Sequence, residues 1–308
     1  MKSKMHSDKE DNDTSGFIYN PKEIENAGIS AFISDKFENI MPLYDSPTGP
    51  FRLYSANRYG KRYVLKCLKD NINIPPIYEA AFLKEFEIGM SVDHPNVRAT
   101  IGMQNIEGLG KALILEYVDG DNLEEYLKKE TLTKKKALAI FMQICSAMKY
   151  MHRKQIIHRD LKPSNIMVTH SGDIVKIIDF SLSDSDAFMI VKNPAGTPSY
   201  MAPEVYTEGY RIDRKADIWS LGKIAECLSI ASGDLNLAEI ASKCLKKNPN
   251  DRPENVDKII RILKTREKYH LDYFSLNSPF LTYTLILIIL ILLLFILHLL
   301  SSRGLLPS

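Results

Sequence analysis

Hydrophobic and polar residues alternate along the first part of the chain in the manner of β-strands. This alternation marks residues 52–56 (RLYSA) and 62–68 (RYVLKCL), and it predicts two strands joined by a short turn. A continuous apolar run over residues 111–118 is typical of a buried strand, whereas residues 77–90 have helical spacing and no internal proline. We therefore expect residues 37–115 to be mostly short strands with one helix.

Helical spacing dominates after residue 120. Residues 134–152 carry one apolar stripe, and Thr133 stands where a helix N-cap is expected. The stripe consists of Ala137, Ile140, Phe141, Ile144, Met148 and Met151. Two further helices are predicted over residues 217–231 and 236–247. A strand-rich part followed by a helix-rich part predicts an α+β protein of two lobes with a cleft between them.

The two ends of the chain have opposite patterns. The first residues are polar and charged, and they predict a disordered lead-in because they offer too little apolar surface to offset the entropy of ordering. Residues 280–300 contain no formal charge, and as a helix they would span about 30 Å, the thickness of a bilayer core. This run predicts a transmembrane helix. Basic residues are more frequent before it than after it, which favours a single-pass membrane protein with its large domain in the cytoplasm.

Composition narrows the function without identifying it. The chain has 308 residues and a formal charge of only +2, so nothing indicates a nucleic-acid partner. Its four cysteines are far apart, with no Cys-x-x-Cys pair. That pattern argues against a disulfide framework or a zinc site and fits a reducing compartment.

Candidate chemistry is densest in residues 156–165, IIHRDLKPSN, where acidic, basic and amide side chains lie close together. This segment resembles the catalytic loop of eukaryotic-type Ser/Thr protein kinases. Other motifs of that family follow in the expected order, namely YVLK, HPN, EYVDG, HRDLKPSN, DF, GTPSYMAPE, DIWSLG and NDRP. The resemblance covers most of the chain and implies a two-lobed kinase fold.

The resemblance implies a role for each polar residue of the loop. Asp160 would accept the proton of the attacking hydroxyl group, and Lys162 would neutralise the migrating phosphoryl group. Asn165 and Asp179 would hold Mg²⁺, which prefers hard oxygen ligands. A lysine at position 162 is typical of kinases that act on Ser and Thr.

The same resemblance implies how ATP would bind. Lys66 would contact the α- and β-phosphates and pair with Glu85, although Glu87 is an alternative partner. Adenine would lie against the backbone of Glu116 and Val118. The apolar residues expected around it are Leu53, Val64, Met167 and, as gatekeeper, Leu115.

Three further matches imply structural roles. Asp217 is expected to hold the backbone of the catalytic loop. Glu204 is expected to pair with Arg252, and Thr197 to form a hydrogen bond near Asp160 and Lys162.

Two departures from the family pattern concern phosphate binding. Residues 45–54, DSPTGPFRLY, have Gly49 alone where the family has three glycines, and prolines remove two backbone donors. Ser181 replaces the glycine of the DFG motif, which stiffens the turn after Asp179. We therefore expect altered nucleotide binding.

Two other departures concern regulation and substrate docking. Residues 186–196 contain no Ser, Thr or Tyr, so Asp184 or Asp186 is expected to replace an activating phosphate near Arg159. Only a short segment separates residues 217–222 from residues 250–253, and we expect a helix that docks protein substrates to be missing there.

The sequence thus predicts a membrane-tethered Ser/Thr protein kinase that uses ATP and Mg²⁺ and acts on proteins. Two alternatives remain: a membrane-anchored pseudokinase that serves as a scaffold, and a kinase of small molecules or lipids. The predicted segments are a disordered lead-in (1–36), a kinase N-lobe (37–117), a C-lobe (118–268), a juxtamembrane linker (269–279), the transmembrane helix (280–300) and a short tail (301–308).

Overall fold

The computed structural model describes residues 36–46, 49–69, 75–179, 198–207, 213–274 and 279–302. Side chains are described for these residues except 266–274, 279–282 and 297–302. The predicted lead-in and C-terminal tail lie almost wholly outside the described residues.

The first lobe is a five-stranded antiparallel sheet with the strand order β1-β2-β3-β5-β4. Its strands are β1 (Glu38–Asp45), β2 (Phe51–Arg58), β3 (Lys61–Leu68), β4 (Thr100–Ile106) and β5 (Gly110–Glu116). Helix α1 (Pro76–Ser91) separates β3 from β4 and begins with a proline. Proline suits this position because the N–H groups of the first helical turn have no acceptor within the helix. The strands and helix predicted for this region are present, and α1 extends one residue beyond the predicted range at each end.

Strand β3 lies at the centre of this lobe and is buried on both faces. Leu65 and Cys67 pack into one apolar cluster, formed with residues of β2, β4 and β5. Val64 lies in a different cluster, which contains Phe82 of α1. Because side chains alternate along a strand, Lys66 shares the face of Val64 and is directed towards α1.

The second lobe is mainly helical and surrounds a small three-stranded sheet. Its elements are β6 (Gly120–Asn122), α2 (Leu123–Lys129), α3 (Lys134–Arg153), β7 (Ile166–Thr169), β8 (Val175–Ile177), α4 (Arg214–Ser232), α5 (Leu235–Cys244) and α6 (Val256–Phe274). All six residues of the predicted stripe on α3 are buried in the large core of this lobe. The Thr133 hydroxyl accepts a hydrogen bond from the Lys136 N–H at 3.2 Å, which confirms the predicted N-cap.

Helices α4 and α5 follow each other directly. Gly233 ends α4 with φ of 67°, a left-handed conformation that glycine adopts without strain. Asp234 then caps α5 by accepting the N–H groups of Asn236 and Leu237. A Cβ atom at Gly222 would lie 2.7 Å from the Cβ of Cys244, so only glycine allows the two helices to pack this closely. Residues 213–274 are all described, and α5 is the one α-helix between α4 and Arg252, in line with the predicted loss of a docking helix.

A buried ion pair holds the end of the second lobe together. Arg252 donates to both oxygens of Glu204, at 2.6 and 2.7 Å, and also to the carbonyl groups of Lys215, Lys246 and Lys247. These five hydrogen bonds match the five N–H donors of a guanidinium group. The predicted pair of Glu204 and Arg252 is therefore present and fully hydrogen-bonded.

Two helices form the described C-terminal part of the chain. Helix α6 continues to Phe274 and so enters the predicted linker. Helix α7 (Pro279–Ser302) covers the predicted membrane span, and its described side chains are those of residues 283–296.

In the part of the chain that the structure describes, no helix combines the length and the apolar character that a membrane crossing requires. The predicted single-pass membrane location is therefore wrong. The predicted transmembrane anchor and membrane partner are likewise unsupported.

The ion pair of Arg252 and Glu204 leads to a stability prediction. Replacement of Arg252 by Met leaves the Glu204 carboxylate buried without its cation, so the free energy of unfolding should fall by about 3–5 kcal/mol. Chemical denaturation of the two proteins measures this difference. The control is Lys128→Ala on the surface of α2, which should change stability little because the Lys128–Glu124 pair is exposed. An equally small effect of Arg252→Met would contradict the assigned role.

Candidate active site

The centre of the candidate site is the ammonium group of Lys66. Its Nζ atom lies 2.6 Å from Glu85 Oε2 and 3.1 Å from Asp179 Oδ1. Lys66 and Glu85 are both almost fully buried. Glu87, the alternative partner, lies on the exposed face of α1 and pairs with Lys84 instead. The structure thus selects Glu85 as the partner of Lys66.

The environment of Lys66 keeps its side chain charged. Burial is the largest influence and lowers the pKa of the ammonium group, but the carboxylates of Asp179 and Glu85 outweigh it and raise the pKa above its usual value. Lys66 is therefore a fixed cation at neutral pH. A fixed cation of this kind suits an anionic ligand such as a phosphate group.

Asp160, Lys162 and Asn165 form one compact hydrogen-bonded group. Lys162 Nζ lies 2.7 Å from Asp160 Oδ2, and the Asn165 amide nitrogen donates to the same oxygen at 3.0 Å. The amide nitrogen also donates to the Asp160 carbonyl at 2.9 Å. Asp160 Oδ1 accepts no hydrogen bond from the described residues and so remains able to accept a proton.

Backbone contacts place Asn165 beside Asp179. The Asn165 carbonyl accepts the N–H of Ile178 at 2.9 Å, immediately before Asp179. Asp179 itself has φ of 69°, a strained conformation for a residue with a side chain. The two predicted metal ligands are therefore held near each other, at the edge of the cleft that contains Lys66.

Asp217 fixes the loop that carries Asp160. Its Oδ1 atom accepts a hydrogen bond from the backbone N–H of Arg159, and its Oδ2 atom accepts one from the backbone N–H of His158, both at 2.9 Å. His152 Nε2 lies 2.8 Å from the same Oδ2 atom. Arg159 has φ of 65°. The predicted anchoring by Asp217 is present, and it stabilises a backbone turn that would otherwise be unfavourable.

Comparison with known proteins agrees with this geometry. The protein kinase domain family matches residues 49–233, more than half of the chain. The chain belongs to the protein kinase family. The match covers both the lobe that carries Lys66 and the loop that carries Asp160.

Three relatives illustrate the range of similar proteins. Mitogen-activated protein kinase kinase 2 of Arabidopsis thaliana is 30% identical over 243 residues, which cover 67% of this chain and 66% of that protein. The Bacillus subtilis serine/threonine-protein kinase PrkC is 30% identical over 206 residues, which cover 61% of this chain and 31% of the length of PrkC. A probable serine/threonine-protein kinase of Streptomyces coelicolor, SCO3848, is 32% identical over 185 residues, 56% of this chain and 27% of its own. The chain thus spans from about a quarter to two thirds of these relatives.

The donor set of this kinase domain fits Mg²⁺. The amide nitrogen of Asn165 is used by Asp160, so the carbonyl oxygen Oδ1 remains as a hard ligand of the type that Mg²⁺ prefers. Asp179 supplies a carboxylate, and its side chain is 34% exposed. A metal ion can therefore reach it from the cleft.

The residues predicted to surround adenine lie on both sides of the cleft. Leu53 and Val64 belong to the apolar cluster that contains the predicted gatekeeper Leu115. Met167 lies on β7 between two fully buried residues and is itself half-buried, so it is directed away from the core of the second lobe. Glu116 ends β5, and Val118 follows it in the connection between the lobes.

The segment that replaces the glycine-rich loop is held by charges. Asp45 binds Lys69 at 2.7 Å and Arg52 at 3.1 Å, and the Ser46 hydroxyl accepts the N–H of Gly49. The Gly49 amide is therefore already engaged and is not directed freely towards a ligand. This geometry accords with the predicted change in phosphate binding.

Sequence reasoning missed two residues of the site. The Phe51 ring lies 4.6 Å from Lys66 Nζ and stacks on Phe82 of α1. Arg98 is buried next to the end of β8. An arginine in the otherwise uncharged NVRAT stretch was the available signal for the second residue. The contact of Phe51 depends on a fold that no local pattern displays. Thr197, Ser181, Asp184, Asp186 and the stretch 186–196 lie outside the described residues, so predictions about them remain predictions.

The environment of Asp217 leads to a prediction about pH. Burial is the largest influence and raises the pKa of this carboxyl group, but hydrogen bonds from His152 and the loop backbone outweigh it and lower the pKa below its usual value of 3.8. A carboxyl group with a lowered pKa stabilises the folded state above its unfolded pKa, and this contribution is lost as the pH falls. Asp217→Asn should be less stable at pH 7, and its deficit should narrow below about pH 4.

Urea denaturation between pH 7 and pH 3 measures this difference. The matched control is Asp257→Asn, a change of the same charge on the surface of α6. A stability deficit of Asp217→Asn that stays constant over the whole range would contradict the prediction.

Proposed function

We propose that this protein is an ATP-dependent Ser/Thr protein kinase that transfers the γ-phosphoryl group of ATP to Ser or Thr hydroxyl groups of proteins. The observation that carries the proposal is the contact of the Lys66 ammonium group with both Glu85 and Asp179. Protein kinases in general use ATP and Mg²⁺, and the names of the relatives describe serine/threonine kinases and kinase kinases.

Each proposed role follows from charge and position. Lys66 binds the α- and β-phosphates while Glu85 fixes the direction of its ammonium group. Asn165 Oδ1 and Asp179 hold Mg²⁺, which when bound neutralises phosphate charge. The backbone of Glu116 and Val118 orients adenine between Leu53, Val64 and Met167.

The proton and the phosphoryl group are handled by the catalytic loop. Asp160 Oδ1 accepts the proton of the substrate hydroxyl as that oxygen forms its bond to the γ-phosphorus atom. Lys162 stabilises the negative charge on the phosphoryl oxygens during transfer. ADP leaves with the electrons of the broken bond, and the proton passes from Asp160 to solvent.

A second candidate, a pseudokinase that serves as a scaffold, is favoured by two observations. The Phe51 ring covers the Lys66 ammonium group, and the β1–β2 connection offers few free amides for phosphate. In that case the cleft would bind nucleotide weakly and transfer nothing. The two candidates differ in turnover, so one assay separates them.

The test compares the full chain with its Asp160→Asn variant. With ATP labelled in the γ-position, Mg²⁺ and a generic basic protein substrate, Asp160→Asn should lower the transfer rate by about 10²–10⁴-fold, the usual contribution of a general base. Binding of Mg·ATP, measured by calorimetry, should change little because Asp160 does not contact the base or the α-phosphate. The control variant Asp257→Asn should retain full activity.

Three results would count against the proposal. Equal transfer by wild type and Asp160→Asn would indicate that another residue, or a contaminant, is responsible. Binding without transfer by the wild type would favour the pseudokinase. Phosphate on Tyr rather than on Ser or Thr would contradict the proposed acceptor.

A further inference from the structure

Arg98 is a charged residue in the interior, held close to the strand end that leads to Asp179. It lies between HPN and β4, and 8% of its surface is exposed. Its backbone N–H donates to the Ile177 carbonyl at 2.9 Å, and its neighbour Val97 also pairs with Ile177. Arg98 is thus fixed to the end of β8, next to the segment that leads to Asp179.

The guanidinium group of Arg98 has no direct partner in the part of the chain that the structure describes. No described residue forms a hydrogen bond or an ion pair within 4.0 Å with it. This differs from Arg252, whose five donors are all used. An arginine remains charged even when buried, and a buried cation without direct partners destabilises the fold. Its presence here therefore calls for a role other than stability.

Three carboxylates act on Arg98 at longer range. Burial is the largest influence on its pKa and lowers it, while the carboxylates of Glu85, Asp179 and Glu116 oppose this effect. In turn, the charge of Arg98 acts on Lys66 and Glu85. Arg98 therefore belongs electrostatically to the cluster that surrounds Lys66, although it does not touch it.

The charges of this cluster balance when Arg98 is included. Lys66 and Arg98 are its cations, and Glu85 and Asp179 are its carboxylates. Glu116 is neutralised separately by Lys176, at 2.8 Å, and Asp160 by Lys162. Without Arg98 the cluster would carry one net negative charge, which attracts a divalent cation and repels a polyphosphate.

We propose that Arg98 is a positioning residue that makes nucleotide binding by this cleft less dependent on Mg²⁺, an inference that rests on the proposed function. Its charge attracts the polyphosphate of the nucleotide and opposes the metal ion, without contact with either. The β1–β2 connection offers few backbone donors for phosphate, because the Gly49 amide is engaged and prolines remove other donors. The charge of Arg98 strengthens phosphate binding where these donors are lacking. The charge of Arg98 thus compensates for the backbone dipoles that this connection does not supply.

The charge argument predicts effects of opposite sign. Loss of the Arg98 charge should weaken the binding of metal-free nucleotide, because attraction is lost. The same change should strengthen the binding of Mg²⁺ to the nucleotide complex, because repulsion is lost. A residue that only stabilised the fold would weaken both when removed.

The experiment uses the full chain and its variants Arg98→Met and Arg98→Lys. Calorimetry measures the dissociation constant of ATP in the presence of a chelator, and then that of Mg²⁺ at saturating ATP. Arg98→Met should weaken metal-free ATP binding by about tenfold and strengthen Mg²⁺ binding by about threefold or more, the scale of one charge interaction across a cleft of intermediate dielectric constant. Arg98→Lys keeps the charge and should stay within about twofold of wild type in both measurements.

Two controls accompany the measurement. Lys111→Met removes an exposed cation from the same lobe, where Lys111 pairs with Glu79, and should leave both constants unchanged. Thermal unfolding followed by circular dichroism shows whether each variant is folded. If Arg98→Met does not fold, Arg98→Gln is measured instead, because it is neutral but retains polar donors.

The outcomes separate this inference from the proposed function. If the neutral variants shift both constants in the same direction, or if Arg98→Lys behaves like Arg98→Met, the electrostatic role is wrong while the kinase proposal stands. Unchanged constants in every variant also overturn the inference alone. If the wild type binds no ATP, with or without Mg²⁺, the proposed function itself fails and the inference fails with it.

Discussion

The candidate site depends on one constraint, the burial of the Lys66 ammonium group. A buried charge is stable only with compensating charge close to it, and here Glu85 comes from α1 while Asp179 comes from the second lobe. The ion contacts therefore fix the position of α1 against the sheet and hold the segment after β8 at the cleft. Three separate parts of the chain are brought to one point by one cation.

From this point a chain of hydrogen bonds leads through the second lobe. The Ile178 N–H, next to Asp179, binds the Asn165 carbonyl, and the Asn165 amide binds Asp160. The backbone before Asp160 is held by Asp217 on α4. A fully buried residue in the first turn of α4 thus determines where the proposed base lies. Arg252 has a structural role instead. All its donors are used within the fold, and it lies far from Asp160 in the sequence.

Much of this arrangement could be predicted from sequence, because it depends on local patterns. The stripe on α3, the Thr133 cap and the pairing of Lys66 with Glu85 are encoded by spacing and motif order, and the structure contains all three. The predicted location in a membrane is wrong. Residues 280–300 are an apolar run in the sequence, but no helix among the described residues is both long enough and apolar enough to cross a membrane. The roles of Phe51 and Arg98 could not be predicted. Their environment is formed by residues from distant strands and by α1, and it becomes visible only when the chain is folded.

The departures from the family pattern form a consistent set. At the glycine-poor connection between β1 and β2, Asp45 at the end of β1 forms ion pairs with Arg52 of β2 and with Lys69. Phe51 covers Lys66 from that side. The charge of Arg98 acts on the same cluster without contact. Under the proposed function, the phosphates would therefore be held by side-chain charges more than by backbone amides.

The most direct test of this account is a double-mutant cycle on Lys66 and Glu85 with the binding free energy of Mg·ATP as the readout. The full chain, Lys66→Met, Glu85→Gln and the double variant are titrated by calorimetry after each is shown to be folded. If Glu85 acts by directing Lys66, the double variant should bind about as weakly as Lys66→Met alone, with a coupling energy of about 0.5–3 kcal/mol. Effects that add within about 0.5 kcal/mol would show that the two residues act independently, and the central claim would then be wrong.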